Sequence, residues 1–479
     1  MLKKWKDMPV MVKASATYTV CSILQKCLSF ITLPLFTRLM TTEQYGMYTV
    51  YTSWSSIITI FITLYMAFGC FNTAMIRFEK DRDSYISATQ GLCTILAAGF
   101  LVIYLPMRHY WNKIFELPTE MVLLMVAEIV GWFSLTCWYG KLRYDYKYKQ
   151  VAALTLVLSI LSPLLAYFLV VWSPEKGFAR IIGYAAVTVI FGGLLYTWNL
   201  FRGKAFFHEK YWRYALSFSV PLIPYYLSQV IFTQNDRIMI SHYIGRDKAA
   251  IYGVACSLGL VLTFVLNAIN DVYVPWLYRK LNGGRTETNS KITNILALLV
   301  AVLLLGVIAL APEIILVLVG KQYWEACYAV APIAMSVLLL FFSQFFINVQ
   351  FFYEEKGPVV YASVCAAVLN VALNALLIPK LGYMAAAWTT LFSYFVFAGM
   401  NYSAMCRTLT KWKNKGKLFD IRTLMLILTV FVGLSFFAVA LYGYRILRLI
   451  LSGIALVVLI FNGKRILKLL QIIRGKQDE

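Results

Sequence analysis

The sequence predicts an all-α, polytopic membrane protein with about fourteen transmembrane helices. Of its 479 residues, 61% are hydrophobic and 14% are charged, whereas a soluble domain carries about 45–50% apolar and about 25% charged residues. The apolar residues form continuous blocks long enough for the roughly 20-residue helix that crosses a hydrocarbon core. The blocks also lack the period-two alternation of a β-barrel strand, and lipid admits only helices and closed barrels.

The apolar blocks place the predicted spans in order along the chain. Prolines lie inside several spans, where proline removes a backbone hydrogen bond and bends the helix; they include Pro34, Pro163, Pro221, Pro224 and Pro332. The spans are predicted at residues 14–39, 46–71, 86–107, 118–140, 151–172, 178–200, 214–241, 249–274, 292–318, 326–352, 358–378, 383–405, 422–443 and 446–462.

Basic residues concentrate in alternate connecting segments. The formal net charge is +22, but its distribution follows the membrane rather than a nucleic acid. By the positive-inside rule, the rich segments face the cytoplasm, so both termini are predicted to be cytoplasmic. The rich segments lie around residues 3–13, 141–149, 202–213, 279–291, 407–417 and 464–476.

A short internal match divides the spans into two halves. The outer turn after the first span aligns with the one after the seventh, pairing Glu43 with Asp247 and Tyr48 with Tyr252. Six spans separate the turns, which indicates a parallel repeat, an architecture of transporters. We therefore expect two six-helix lobes around a central cavity, plus a terminal helix pair. The predicted divisions are an N-terminal lobe (1–200), a cytoplasmic linker (201–213), a C-terminal lobe (214–406) and the helix pair with a basic tail (407–479).

Ionisable residues inside spans are costly and usually face a bundle interior or an aqueous cavity. Lys26 is predicted either to be a cavity cation for an anionic ligand or to form a structural bridge with an acid such as Glu128. Asp236 and Arg237 are predicted either to contact a ligand or to form a local helix cap or an inter-helix bridge. Glu128, Asp236 and Asp271 are the candidates for coupling transport to an ion.

Side-chain amides recur on single faces of three predicted spans in the second half. Because an amide both donates and accepts hydrogen bonds, it is a good partner for sugar hydroxyls, although helix–helix hydrogen bonding would use the same residues. Together with the cations Lys26 and Arg237, they form the predicted substrate-binding set: Asn267, Asn270, Gln344, Asn348, Asn370 and Asn374.

Catalytic and metal-binding patterns are missing from the sequence. The three histidines lie in loops or at span ends, the nine cysteines form no CxxC pair, and no Walker motif occurs. We therefore predict no cofactor, no metal and no enzyme activity, and transport driven by an ion or by the membrane potential.

Three segments resemble the oligosaccharide flippases of the Wzx type, in the multidrug/oligosaccharidyl-lipid/polysaccharide exporter superfamily. They are the run from Gln234 through Asp236 and Arg237 to Ala255, the first outer turn from Leu35 to Tyr48, and the turn from Ile378 to Ala387. The resemblance extends over nearly the whole chain in span number and loop lengths. Many members have twelve spans, and about fourteen is the number in lipid II flippases.

The resemblance implies a bacterial inner-membrane flippase with two lobes in a V shape. By alternating access it would move a lipid-linked oligosaccharide, usually on undecaprenyl pyrophosphate, from the inner to the outer leaflet, for an O-antigen or a capsule. Its partners would be membrane lipids and, in the same pathway, polysaccharide polymerase and glycosyltransferases, with no nucleic acid. Lys26 and Arg237 would meet the pyrophosphate. The alternatives are a cation-coupled drug exporter of the same superfamily and a membrane-embedded glycan polymerase or ligase, which the short outer loops disfavour.

Overall fold

A computed structural model describes residues 10–282, 289–412, 418–450 and 453. These residues contain no β-strand and form sixteen α-helices, followed by further helical residues at 445–450. The helices are α1 (Val10–Leu39), α2 (Thr42–Thr63), α3 (Phe71–Arg77), α4 (Arg82–Tyr104), α5 (Arg108–Phe115), α6 (Thr119–Tyr144), α7 (Tyr148–Trp172), α8 (Lys176–Gly203), α9 (Glu209–Ser219), α10 (Ile223–Tyr243), α11 (Arg246–Asn282), α12 (Asn289–Leu318), α13 (Ala326–Phe352), α14 (Gly357–Leu381), α15 (Met384–Lys411) and α16 (Ile421–Ala440).

The helices confirm a multi-pass membrane protein. Eleven helical segments among the described residues are long and apolar enough to cross a membrane. The predicted spans at 46–71 and 383–405 correspond to α2 and α15, which are helical but richer in polar residues. The fourteenth predicted span, 446–462, and the basic tail beyond it lie mostly outside the described residues. About fourteen therefore stays an approximate number.

Two predicted spans differ in detail from the helices. The second predicted span continues to residue 71, but α2 ends at Thr63. The seventh is two helices, α9 and α10, joined by a short 3₁₀ turn at Val220–Leu222. Pro221 and Pro224 flank this junction, where a proline ring prevents a continuous ladder of backbone hydrogen bonds.

The chain divides into two compact units, Met1–Ala250 and Ile251–Glu479. The division falls in α11, so α10 belongs to the first unit, where it packs against α2. The lobes predicted from the repeat place α10 in the second half instead. That division rests on sequence similarity rather than on contacts, and it stays a prediction.

Small residues bring the helices of the first unit close together. A Cβ atom on Gly192 of α8 would overlap the backbone of Gly131 on α6, and one on Gly183 would overlap Ala166 of α7. Lipid chains are as apolar as leucine, so helices in a bilayer associate through such close packing more than through hydrophobic exclusion. In the second unit, the most deeply buried helix is α13, which packs against α12, α15 and α16.

We expect Gly192→Ala to destabilise the protein, because the new methyl group would meet the backbone of α6. Overpacking of this kind costs about 1–3 kcal/mol. The matched control is Gly193→Ala, since a Cβ at Gly193 has no atom within 4 Å. Thermal unfolding in detergent should show a lower midpoint for Gly192→Ala alone. Equal midpoints for the two variants would contradict this packing.

Candidate functional site

Hydroxyl side chains form a stripe along α2. Thr52, Ser56, Thr59 and Thr63 are spaced three or four residues apart and so share one helix face, and Ser55 lies beside them, three residues after Thr52. The hydroxyls of Thr52, Ser56, Thr59 and Thr63 donate to backbone carbonyls one turn earlier, at 2.6–2.9 Å. Each hydroxyl proton is thus satisfied within the helix, while its oxygen can still accept a hydrogen bond.

The end of α2 turns the chain through a constrained backbone. Leu64 and Tyr65 both have left-handed conformations, with φ of 46° and 52°, and residues other than glycine adopt these at a cost of about 1–2 kcal/mol. The ring of Tyr65 packs 4.8 Å from that of Tyr226 and 4.9 Å from that of Phe68, centroid to centroid. Phe68 in turn stacks on Trp132 of α6 at 6.0 Å.

Glu128 brings a carboxyl group to this stripe. It is the tenth residue of α6, about 14 Å from the start of that helix and so near the middle of a bilayer. The hydroxyl of Tyr51 on α2 donates to Glu128 Oε2 at 2.7 Å. Tyr51 itself is buried. This hydrogen bond joins α2 to α6 and holds the carboxyl group in place.

The carboxyl group, the hydroxyl stripe and the aromatic rings line one cavity of about 220 Å³. Carboxylate and hydroxyl oxygens accept hydrogen bonds from sugar hydroxyls, and the face of an aromatic ring packs on a sugar ring. The same oxygens could bind a proton or a sodium ion. The lining residues are Ser55, Ser56, Thr59, Tyr65, Glu128, Ile129 and Trp132.

Of the predicted charged residues, Glu128 lies in this cavity. Lys26 lies on an exposed part of α1. Tyr51 donates a hydrogen bond to the Glu128 carboxyl group. Both alternatives for Lys26, the cavity cation and the structural bridge to an acid, stay predictions.

Arg237 takes part in a chain of contacts between α10 and α2. Its Nη1 donates to Gln234 Oε1 at 3.3 Å, and the same oxygen accepts from Ser53 Oγ at 3.1 Å. Arg237 Nε is buried without a hydrogen-bond partner. Asp236 is buried beside it, 4% exposed.

The amides of α11 and α13 come together in part. Asn348 Nδ2 donates to Asn270 Oδ1 at 2.8 Å. Gln344, one turn from Asn348, has a buried Oε1 atom without a hydrogen-bond partner. Asn267 and Asp271 are exposed. The structure therefore pairs two of the predicted residues and leaves a neighbouring amide oxygen available.

Asn370 and Asn374 lie in a different place, between α14 and α15. Both are fully buried. Asn370 donates to Thr390 Oγ1 at 3.0 Å, Asn374 donates to Asn370 Oδ1 at 3.3 Å, and Thr389 donates to Asn374. These contacts are the helix–helix hydrogen bonding that was the alternative for this pair. In this conformation the two amides serve helix–helix contacts, and their role as substrate contacts stays a prediction.

Neither the hydroxyl stripe of α2 nor Arg180 of α8 was among the site residues predicted from the sequence. The stripe was detectable, because its residues recur at helical spacing. Arg180 was not, because it lies 5% exposed between rings from two other helices, with its guanidinium carbon 3.7 Å from the Tyr48 centroid, 4.4 Å from Phe36 and 4.7 Å from Tyr45. Such cation–π contacts stabilise a desolvated arginine and join α8 to α1 and α2.

The bundle of apolar helices, with a polar cavity near mid-membrane, defines a membrane transporter fold rather than an enzyme. Residues 11–281 match the family model described as polysaccharide biosynthesis protein. The matched part is more than half of the chain and includes the cavity. The chain belongs to this family.

Two proteins of Haemophilus influenzae are similar to this chain over most of its length. An uncharacterized membrane protein of Haemophilus influenzae is 22% identical over 386 residues, which are 78% of this chain and 92% of the relative. The Lsg locus putative protein 1 of the same organism is 23% identical over 383 residues, with the same shares of both chains covered.

Two solved structures share the fold. The lipid II flippase MurJ, in an inward closed conformation, matches with a TM-score of 0.70 and 13% identity, over 94% of this chain and 99% of that one. An inward-facing multidrug resistance transporter of the MATE family matches with a TM-score of 0.61 and 13% identity, over 84% and 99%. These likenesses show that this chain shares the helix arrangement of the two solved transporters.

We expect Tyr51→Phe to lower the free energy of unfolding, because it removes the partner of the Glu128 carboxyl group. The loss should be about 1–3 kcal/mol, the cost of leaving a desolvated polar group without its hydrogen bond. Tyr65→Phe is the control, since it removes a hydroxyl from the same cavity that has no hydrogen bond in the structure. Unfolding midpoints of the two purified variants provide the comparison, and a Tyr51→Phe midpoint equal to wild type would contradict a stabilising bond.

Proposed function

We propose that this protein is a flippase that moves lipid-linked oligosaccharide repeat units, carried on undecaprenyl pyrophosphate, from the inner to the outer leaflet for surface polysaccharide synthesis. Family membership supports a role in polysaccharide biosynthesis. The fold shared with a lipid II flippase supports the transport of a lipid-linked glycan. We further propose that it acts in the inner membrane with both termini in the cytoplasm, and that a polymerase and glycosyltransferases act in the same pathway.

The observation that carries the proposal is the cavity around Glu128. It combines sugar-binding chemistry with a position near mid-membrane, where a purely structural cavity would be apolar. In this proposal the glycan contacts the stripe of α2 and the ring of Trp132. Lys26 and Arg237 are the proposed cations for the pyrophosphate, and Asn267, Asn270, Gln344 and Asn348 are proposed sugar contacts.

The driving force would include the membrane potential. A negative-inside potential favours the outward movement of an anion, and two uncompensated charges over ~100 mV would gain roughly 4–5 kcal/mol. Exchange of a proton or sodium ion through Glu128, Asp236 or Asp271 would add to this. Of the three, Glu128 has the surroundings best suited to binding an ion.

Contacts between α2 and α10 join these helices within the first unit, and we propose that transport breaks them. Beyond the contact of Ser53 with Gln234, both Ser241 and Arg246 donate hydrogen bonds to Glu116, between α5 and α6. Gly46 allows the start of α2 to approach the backbone of Arg246. For a glycan to leave outward by alternating access, these contacts would have to separate.

The second candidate function is a cation-coupled drug exporter. Glu128, held by Tyr51 in a membrane-spanning helix, is the kind of acid such a mechanism needs, and the MATE transporter shares the fold. The matched family favours the glycan substrate instead.

Glu128→Gln should reduce translocation by roughly tenfold or more, a loss of about 1.4 kcal/mol of transition-state stabilisation, while membrane abundance stays near wild type. Glu120→Gln, on an exposed position of the same helix, is the control. The measurement is the amount of lipid-linked oligosaccharide trapped in the inner leaflet of cells whose own gene is deleted. Deletion that traps no intermediate and leaves surface glycan normal, with no second flippase present, would rule out the flippase. Drug sensitivity in the same strain would then favour the exporter.

A cross-link between Ser53→Cys and Gln234→Cys, made with a cleavable bifunctional methanethiosulfonate reagent, should stop export reversibly. The reagent spans the gap that the Gln234 side chain fills and would hold together the faces of α2 and α10 that alternating access must separate, and a reductant should restore export. The two single-cysteine variants, treated with the same reagent, control for the nine native cysteines. Undiminished export by the cross-linked protein would refute opening at this contact.

A further inference from the structure

A second cleft in the first unit gathers basic side chains. Its volume is about 450 Å³, and it is formed by the end of α3 and by α9, which lie more than a hundred residues apart in sequence. Arg77, Lys210 and Arg213 line it together with a single acid, Glu209. The cleft is therefore cationic. The charge distribution of the chain predicts that it faces the cytoplasm.

These cations are not neutralised by the protein. Among the residues that the structure describes, no carboxylate lies within salt-bridge distance of Arg77, Lys210 or Arg213. Other basic residues of the same region do have such partners, as Lys141 has in Asp83 and Arg82 has in Asp145. With one acid, Glu209, in the cleft, the three cations leave a net positive charge that favours binding of an anion.

Aromatic rings organise the cleft. The guanidinium carbon of Arg77 lies 5.2 Å from the centroid of Tyr214 and 6.0 Å from that of Phe78. Lys210 Nζ lies 5.4 Å from the same Phe78 ring, which is itself buried. Phe78 is thus a fixed surface against which two cations rest. Cation–π contacts use the ring faces and leave N–H groups available to a ligand.

The surroundings of the cleft are apolar. Ile76, directly before Arg77, is 69% exposed, and Phe218 and Val220, at the end of α9, are also exposed. Exposed apolar side chains beside unneutralised cations suit a ligand that is anionic at its head and hydrocarbon in its tail. A soluble anion would use only the cations.

We propose that this cleft binds the diphosphate group of a polyprenyl-linked substrate on the cytoplasmic side, before the glycan reaches the cavity around Glu128. The proposal rests on the proposed function, which supplies the polyprenyl diphosphate. Guanidinium groups suit the task because each can donate two parallel N–H bonds to phosphate oxygens. The cleft thus selects the lipid carrier, and the cavity around Glu128 contacts the sugar.

Binding of farnesyl diphosphate, a short prenyl diphosphate, tests the proposal on the full-length protein in phosphatidylcholine nanodiscs. The double variant Arg77→Gln/Arg213→Gln should weaken binding by at least about tenfold. Arg77→Lys/Arg213→Lys should restore part of it, because the charge remains without the paired geometry. Lys149→Gln is the control, a loss of one exposed cation outside the cleft and on the same predicted side. Gel filtration of each variant checks that the fold is retained.

Competition by two other anions tests whether the cleft recognises a prenyl diphosphate, a free pyrophosphate or an anionic membrane lipid. Inorganic pyrophosphate should compete more weakly than farnesyl diphosphate, because it lacks the apolar tail. Phosphatidylglycerol in the nanodisc should not displace the probe. Displacement by it at equal concentration, or the same loss of binding in Lys149→Gln, would overturn the proposal in favour of general attraction to anionic lipid.

The outcome for the cleft is separable from the outcome for the flippase. If the glutamine double variant binds the probe like wild type while Glu128→Gln traps lipid-linked oligosaccharide, the cleft assignment is wrong and the flippase remains. If gene deletion traps no intermediate although the cleft binds the probe, the proposed function is wrong instead. Loss of binding together with slower export, without loss of membrane abundance, is the result we expect.

Discussion

The hydrogen bond from Tyr51 to Glu128 shows the constraint that governs this molecule. In hydrocarbon a polar group without a partner costs several kcal/mol, so each intramembrane polar side chain must be satisfied or must face water or a ligand. Glu128 does both, because one oxygen accepts from Tyr51 while the carboxyl group lines a cavity. Four hydroxyl groups of α2 are satisfied in a similar way: each donates to a carbonyl of its own helix, and its oxygen can still accept a hydrogen bond.

This constraint separates polar residues that serve packing from those available to a ligand. Asn370 and Asn374 are hydrogen-bonded to Thr390 and Thr389, respectively, between α14 and α15. Gln344 and Arg237, in contrast, each retain a buried polar atom without a partner. Such atoms are rare in native interiors and usually mark water, an ion or a ligand.

Basic side chains contact aromatic rings both in the buried interior and in an open cleft. Arg180 is buried but stabilised by three aromatic rings. Arg77 and Lys210 also contact rings, yet they lie in an open cleft with apolar neighbours. The same cation–π contact therefore stabilises helix packing in one place and leaves a cationic binding surface in the other. What differs is access, because only the open cleft can admit an anion.

Much of the architecture was predictable from the sequence. The apolar blocks determine that the chain crosses the membrane as helices, because lipid leaves no alternative for the backbone, and Pro221 and Pro224 determine where the seventh span breaks. Ionisable residues inside the predicted spans, such as Glu128, were likewise identifiable from the sequence, because each interrupts an otherwise apolar segment. Only the tertiary structure decided which partner each of these polar side chains has: Tyr51 for Glu128, Thr390 for Asn370, and three rings for Arg180. The physical reason is that helical spacing specifies the face on which a residue lies, whereas the helix that this face meets depends on close packing at positions such as Gly131 and Gly192.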